Sequence, residues 1–486
     1  MSVSDVFSIG VSALYAHKLA LEVTSENISN VNTPGYSKQT AILESALPNQ
    51  DSRFPVGSGV RVATIRRVHD DFLQKQLVSS SSSAGNYDIQ QTAMQRVEQL
   101  FNEFSAAGLG TDLTSFFNAW QDLANNPSGQ AERQAVLAQG DTLVSDFQRM
   151  NNNLNQVKSD ANQSLQGLTS DVNDKLKALA VLNDQIQQLE FQGGNANELR
   201  DSRDKLIQDL SEKVAVTYTN EPDGTVTVSL PQGATLVTKN QAGSFSLEVE
   251  NPDPSNSGFF KVMLTDPGGS VVSDVTQALK IADGNQGEIG ATLQVRDSLV
   301  DGFISGLDEL AYKLAEQVNS VHGSGYSLSG ATGIDFFSPP IVLTPPATPT
   351  AGYSRSIAMN ITNINDIAAA FTNPTAGGTT GDNRNALNIA ALATKSNSMS
   401  TGNSTFSGYY NSLVGKSGVA AQVAERGATQ SSAGIKQLRD MRDSASGVSL
   451  DEELANLIAY QKSYEGAAKL INVGTDMLDT VLSLVR

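Results

Sequence analysis

Ser449-Leu-Asp-Glu-Glu-Leu-Ala-Asn-Leu-Ile-Ala-Tyr-Gln461 opens the last amphipathic stretch of a 486-residue chain. Ser449 followed three residues later by Glu452 is a capping box placed directly before an apolar run. From there Leu450, Leu454, Leu457, Tyr464, Ala468, Ile471, Leu478, Leu482 and Val485 recur in steps built from fours and threes. The opposite end repeats the pattern with Val3, Phe7, Leu14, Leu21, Ile28 and Val31. Sustained apolar spacing of this kind is the coiled-coil signature. A lone helix with such a seam exposes it to water and is marginally stable. Each end therefore needs a partner: the other end, neighbouring copies, or both. Periodicity alone fits an ordinary core as well as an intersubunit seam. The heptad-like length, interrupted by Gln461 and Thr475, favours the intersubunit reading, with the ends gaining order on assembly.

Moving inward, the first helix pattern stops at Asn27-Ile-Ser-Asn-Val-Asn-Thr-Pro-Gly-Tyr36, poor helix formers before a proline. Pro34-Gly35 suits the centre of a type II turn, because Gly35 can take positive φ. A short strand is expected near Val60 to Ile65, then helix from Asp70 to Glu103. The serine run Ser79 to Ser83 inside it fits a kink, a loop or a polar face. Thr111 to Leu123 reads as a short helix ending at Asn125-Asn126-Pro127. Ser128 to Phe191 is the longest helical stretch and would span roughly 90 Å at the standard rise, which implies a rod-like subunit. After Gly193-Gly194 another helix runs from Asn197 to Lys213.

At Val214 the apolar period changes from 3.6 to 2. Val214 to Tyr218 and Thr225 to Ser229 flank Pro222-Asp223-Gly224, a hairpin turn signal. Ser244 to Glu250 and Phe259 to Thr265 continue the strand pattern. Helical pattern resumes from Ile289 to Val321. A loop follows, with Pro339, Pro340, Pro345, Pro346 and Pro349. Helices are expected again from about Asn383 to Arg442, followed by a break at Ser446-Gly447. The fold class read from this order is mainly α, with paired terminal coiled-coil helices, an elongated helical-bundle body and a small antiparallel β domain. The expected domains are 1–45 plus 446–486 (terminal coiled coil), 46–213 plus 288–445 (elongated helical domain) and 214–287 (inserted β domain).

Composition excludes several function classes. The formal net charge is -18, which opposes binding to nucleic acid or to anionic membranes, since phosphates need clustered Lys and Arg. Cysteine is absent, which removes disulfides, thiolate metal sites and thiol nucleophiles. No uninterrupted run of ~18 apolar residues stands out, so no spanning helix and no membrane insertion are expected. Met1 to Asp5 carries no basic region, and no cleavable secretory signal follows.

Catalytic and metal-binding patterns fail one by one. His17, His69 and His322 are far apart in sequence, and none has metal-ligand spacing. His17 reads as a polar interruption of the N-terminal seam. Gly415-Lys416-Ser417 resembles the end of a phosphate-binding loop, but Tyr410 stands where the earlier glycine is required. Glu198, Arg200, Asp201, Arg203, Asp204 and Lys205 form a dense charged cluster. Asp201 and Lys205 are spaced i,i+4, which favours a solvated helix face over an acid–base pair. No catalytic residue, cofactor or metal is expected.

The terminal motifs resemble a known family. Asn27 to Tyr36, with Asn27, Asn30, Thr33, Pro34, Gly35 and Tyr36 as its motif residues, is similar to the N-terminal signature of rod, hook and hook-associated proteins of the bacterial flagellum. Leu450 to Ile458 with Tyr460, Gln461 and Tyr464 resembles their C-terminal signature. Phe116-Phe-Asn-Ala-Trp-Gln-Asp-Leu-Ala124, Asn126-Pro127, Arg133 to Val136, Leu199 to Asp204, Gly290 to Asp297 and Gly381-Asp382-Asn383 narrow the resemblance to the hook-associated protein 1 family; Phe54 to Arg67 fits it moderately.

That resemblance implies a non-enzymatic junction ring between hook and filament, on which filament assembly begins. It implies a ring-forming homo-oligomer, exported to the cell exterior through the flagellum's own channel by a type III apparatus. Terminal helices would line the inner tube and β domains would face outward. The implied partners are other copies, the flagellar hook protein, the next hook-associated protein on the filament side, and an export chaperone with the export apparatus. Another axial protein, such as a distal rod or hook component, is the nearest alternative. A cytoplasmic coiled-coil scaffold is the alternative from a different class.

Overall fold

The computed structural model describes residues 3–46, 57–101, 108–250, 258–269, 272–280, 285–339 and 350–484. Most of the proline-rich stretch, Val485, the side chain of Val3 and the start of the Phe54–Arg67 match lie outside them.

Helix α1 (Val3–Ser29) ends where the sequence breaks it. The Tyr36 N–H donates to the Thr33 carbonyl at 3.2 Å and Gly35 takes φ 90°, so the Pro34-Gly35 turn forms as read. Val31 lies beyond the helix end, which corrects its place on a helical seam. Strand β1 (Gln39–Ser45) pairs antiparallel with β2 (Val60–Arg67), with a register shift at Ile42/Leu43. Helix α2 (Asp71–Phe101) runs unbroken through the serine run. Ser81 and Ser82 are buried there. Their small side chains and Gly85 let α2 approach α5 (Asn197–Lys213) closely; a Cβ on Gly85 would collide with the Glu212 carbonyl.

Helices α3 (Leu109–Asn125) and α4 (Gln130–Phe191) follow. The 62 residues of α4 span about 93 Å at the standard rise. Its first half packs with α3 and with α8 (Val300–Ser324) around an aromatic core of Phe116, Trp120, Phe336 and Phe337. Its second half shares a core with α5 and the strands. Those strands form two sheets. β3 (Thr217–Asn220), β4 (Val226–Ser229), β5 (Thr235–Thr238) and β6 (Gln241–Ala242) make a four-stranded antiparallel sheet. β7 (Ser244–Val249), β8 (Phe260–Thr265) and β9 (Val272–Asp274) make a three-stranded one.

Three asparagines spaced about three turns apart on α4 clamp the sheets by their backbones. Asn183 donates to the Val226 carbonyl and accepts from the Val226 N–H, Asn173 does the same with Phe245, and Asn162 accepts from the Phe260 N–H. Short α6 (Thr276–Lys280) leads into α7 (Gly287–Gln294), and a π-helical turn at Val295–Leu299 joins α7 to α8. The helices expected from Asn383 to Arg442 are two, with a short strand pair between them. After the short α9 (Tyr353–Ser356), α10 (Arg384–Ala390) is followed by a hairpin of β10 (Asn397–Met399) and β11 (Gly402–Ser404). Gly402 at φ 108° closes the hairpin. Thr405 then caps α11 (Phe406–Ser446), its hydroxyl accepting the Gly408 N–H at 3.0 Å. The last helix is α12 (Leu450–Leu484).

Candidate functional site: the paired ends and their joint

Helices α1 and α12 pack antiparallel. Gly10 lies against Ile471, Gly474 against Phe7, His17 beside Tyr460 and Asn27 against Glu453. The two ends of the chain thus partner each other within one subunit, one of the partnerships the apolar spacing left open. Along α12 the inner face is Glu453, Leu457, Tyr460, Tyr464, Ala467, Ile471 and Gly474, a strict alternation of four and three residues. Along α1 it is Gly10, Ala16, Ala20, Val23, Thr24 and Asn27, mostly small side chains that bring the two backbones close. His17 interrupts this face with an unpartnered Nδ1.

The sequence-derived seam falls on both sides of this contact. Leu457, Tyr464 and Ile471 are half-buried on the inner face, and Phe7, Leu14, Leu21 and Ile28 are half-buried beside it. Leu450 and Leu478 continue the inner four-and-three spacing beyond the two ends of the contact with α1, Leu454 and Leu482 lie beside that line, and all four are 42–57% exposed. Ile458, Leu470, Val473, Met477 and Val481, spread over the other faces and the C-terminal end of the helix, are exposed as well. The signal for this further apolar surface was available: α12 has more apolar residues than one face can hold, a pattern of helices covered all round. Helix α1 has a related property. Its Asp5–Ser29 segment is long and apolar enough, by length and composition, to cross a membrane, so the expectation of no such stretch fails there.

At the base of the pair, all six motif residues converge. Asn27 is 1% exposed and uses every hydrogen-bonding position it has. Its amide donates to the Gln39 carbonyl at 2.9 Å and to Glu453 Oε2 at 3.0 Å. Its carbonyl accepts from the Tyr36 hydroxyl and the Gln39 N–H, both at 2.9 Å. Thr33 donates to Asn30, and Asn30 to the Glu26 carbonyl, which hold the turn around Pro34-Gly35. Burial, followed by the carboxylates of Glu26, Glu198 and Asp201, pushes the Tyr36 phenol up to about 12, so it stays a donor. Lys38 bridges Glu452 at 2.9 Å and Glu453 at 3.2 Å. Burial opposes its charge, but the two carboxylates outweigh that and hold its ammonium above the ordinary value. Glu452 is thereby turned toward Lys38.

The charged cluster on α5 is the largest correction. Asp201, Arg203 and Asp204 are buried, not solvated. Asp201 accepts from the Ser37 N–H and hydroxyl, each at 2.8 Å. Arg67 Nη1 lies 2.7 Å from both Asp201 and Asp204. Burial disfavours the Arg67 charge, and Asp204 and Asp201 more than offset it, so its pKa is raised. His69, 3.6 Å from Asp204, is held neutral by burial and by the Arg67 charge. Lys205 pairs with Asp209 at 2.9 Å instead of with Asp201. Lys205 thus keeps an i,i+4 partner further along α5, while Asp201 turns to Arg67 of β2, remote in sequence. Breaking such a buried pair costs about 3–5 kcal/mol. A polar cleft of about 500 Å³ opens beside the joint, between residues 30–36, Lys205, Arg439 and Arg442.

This is the chemistry of a mechanical joint between helices. Among the described residues no group of histidine and carboxylate side chains could hold a metal ion. His322 sits apart in the aromatic core, and Gly415-Lys416-Ser417 lies inside α11.

Comparison with known families matches three segments of the chain. Residues 94–337 match the family described as flagellar hook-associated protein FlgK helical domain. Residues 442–484 match the flagellar basal body rod FlgEFG protein C-terminal family, and residues 7–36 the flagella basal body rod protein family. Flagellar hook-associated protein 1 of Bacillus subtilis (strain 168) is 29% identical, covering 97% of this chain and 96% of that one. Its namesake in Salmonella typhimurium is 26% identical, covering 99% of this chain and all of that one. The structure of the flagellar hook junction protein FlgK from Burkholderia pseudomallei superposes with a TM-score of 0.63 at 17% identity, over 76% of this chain and 100% of that one.

Proposed function

The chain belongs to the flagellar hook-associated protein FlgK family, and we propose that its copies form the junction ring that joins hook to filament. It is a structural component of the bacterial flagellum. One observation carries the ring reading. Within the subunit α1 covers one face of α12, while nine large apolar side chains of α12 stay in water around the rest of the helix and past the ends of that contact. Apolar surface left in water costs about 25 cal/mol per Å² until something covers it. Neighbouring copies supply the same helices in a repeating array, so they are the natural cover. The residues assigned to this interface are Leu450, Leu454, Leu478 and Leu482, extended by Ile458, Val473 and Met477.

On this reading one rim of the ring receives the hook protein and the other the next hook-associated protein. The subunit reaches its place outside the cell through the flagellar export apparatus, escorted by an export chaperone and without a cleaved signal. No catalytic step is part of it. The test is electron microscopy of a deletion strain. Hooks without filaments, with filament subunits lost to the medium, are expected. Normal filaments on the deletion strain would contradict the assignment.

A further inference from the structure

Four consecutive residues, Tyr36 to Gln39, carry both halves of the joint. Tyr36 and Gln39 complete the bonds around Asn27, which holds Glu453 of α12. Lys38 reaches the same Glu453. Between them, Ser37 is fixed to Asp201 of α5 by two bonds of 2.8 Å. Asp201 is bonded to Ser37 and Arg67 and, among the described contacts, to nothing on α12.

We propose that this segment couples the seating of α12 to the body, so that docking the C-terminal helix and locking the Asp201 cluster are one event. The reason is the accounting of polar groups. If α12 leaves, a buried Asn27 N–H loses its acceptor and Lys38 loses both carboxylates. A buried donor left unmade is costly, so the segment moves to recover water or another partner. Ser37 cannot follow without breaking charge-assisted bonds to Asp201. Such coupling is reciprocal: weakening Asp201 must loosen α12. It concerns the single subunit and holds whatever assembly the subunit enters.

Amide hydrogen exchange on the full-length chain tests this. Asp201→Asn and the milder Ser37→Ala should each speed exchange at residues 450–460 by roughly 5- to 150-fold, the usual range for coupled sites. Glu453→Ala should in turn speed exchange at 197–204. Lys205→Ala, whose partner is Asp209, should leave 450–460 at the wild-type rate. If Asp201→Asn loosens α4 as well, Ser37→Ala alone decides. Faster exchange confined to 36–39 and α5, with α12 unchanged, would overturn the proposal.

Discussion

The body and the paired ends place their side chains in opposite ways. In the body, even charges that go inward are answered. Arg133, 1% exposed, donates to the carbonyls of Pro127, Ile364 and Ile367 and needs no carboxylate. Trp120 and its aromatic neighbours are sealed in the core. Along α12, nine large apolar side chains stand in water on one helix. The body's exposed apolar residues, such as Phe72 and Phe191, are instead scattered over different elements. A single chain therefore completes the body, whereas it completes only one face of its ends. The difference separates folding, which the body governs, from assembly, which the ends govern.

The strongest way to break that separation is to charge the outer stripe. Val473→Asp combined with Met477→Asp should abolish filament attachment, because each new carboxylate would be buried unpaired in every copy. The free subunit should melt within about 0.5 kcal/mol of wild type, as surface changes do. Leu457→Asp sharpens the contrast. Leu457 is half-buried against α1, so this change should already loosen α12 in the free subunit, seen as faster amide exchange at 453–464. Equal behaviour of the two faces would collapse the distinction.

A body substitution should do the reverse. Trp120→Ala empties the centre of the aromatic core and should cost about 3–5 kcal/mol in denaturant melts of the subunit. Exchange along α1 and α12 should change far less than exchange along α3 and α4.

A somewhat smaller effect comes from His322. Its Nδ1–H donates to the Ile334 carbonyl and its Nε2 accepts from the Ala368 N–H, so the ring is neutral. Burial lowers its pKa from 6.5 to about 4. Between those values the unfolded chain takes up a proton that the folded chain refuses. Stability from this group is thus complete above pH 6.5 and falls as pH drops toward 4, by about 3 kcal/mol. His322→Gln should flatten that part of the pH profile in thermal melts. The smallest effect belongs to the exposed i,i+4 pair Lys18–Glu22, where Lys18→Ala should change melting by less than about 0.5 kcal/mol.

What was legible in the sequence was whatever local chemistry decides. The α4 rod, the Pro34-Gly35 turn, the Pro222-Asp223-Gly224 hairpin and the limits of α3 all follow from spacing and turn residues. What stayed hidden depended on partners far away in sequence. β1 could not be seen until β2 paired with it. The Asp201 cluster reads as solvated until Arg67 and Ser37 arrive from more than a hundred residues upstream. The seam on α12 was visible as apolar periodicity, but dividing it into an inner and an outer face required knowing where α1 lies. The motif at Asn27 was recognisable by resemblance, yet its role as a saturated hydrogen-bond hub shows only in three dimensions.

Because the chain has no cysteine, one introduced thiol can report on the outer stripe without background. In a Val473→Cys variant that still forms filaments, a maleimide should label the free subunit rapidly and intact isolated flagella hardly at all, with labelling restored when the flagella are dissociated. Equal labelling of the free subunit and the intact flagellum would show that the stripe remains in water after assembly, contradicting its assignment as the contact between copies.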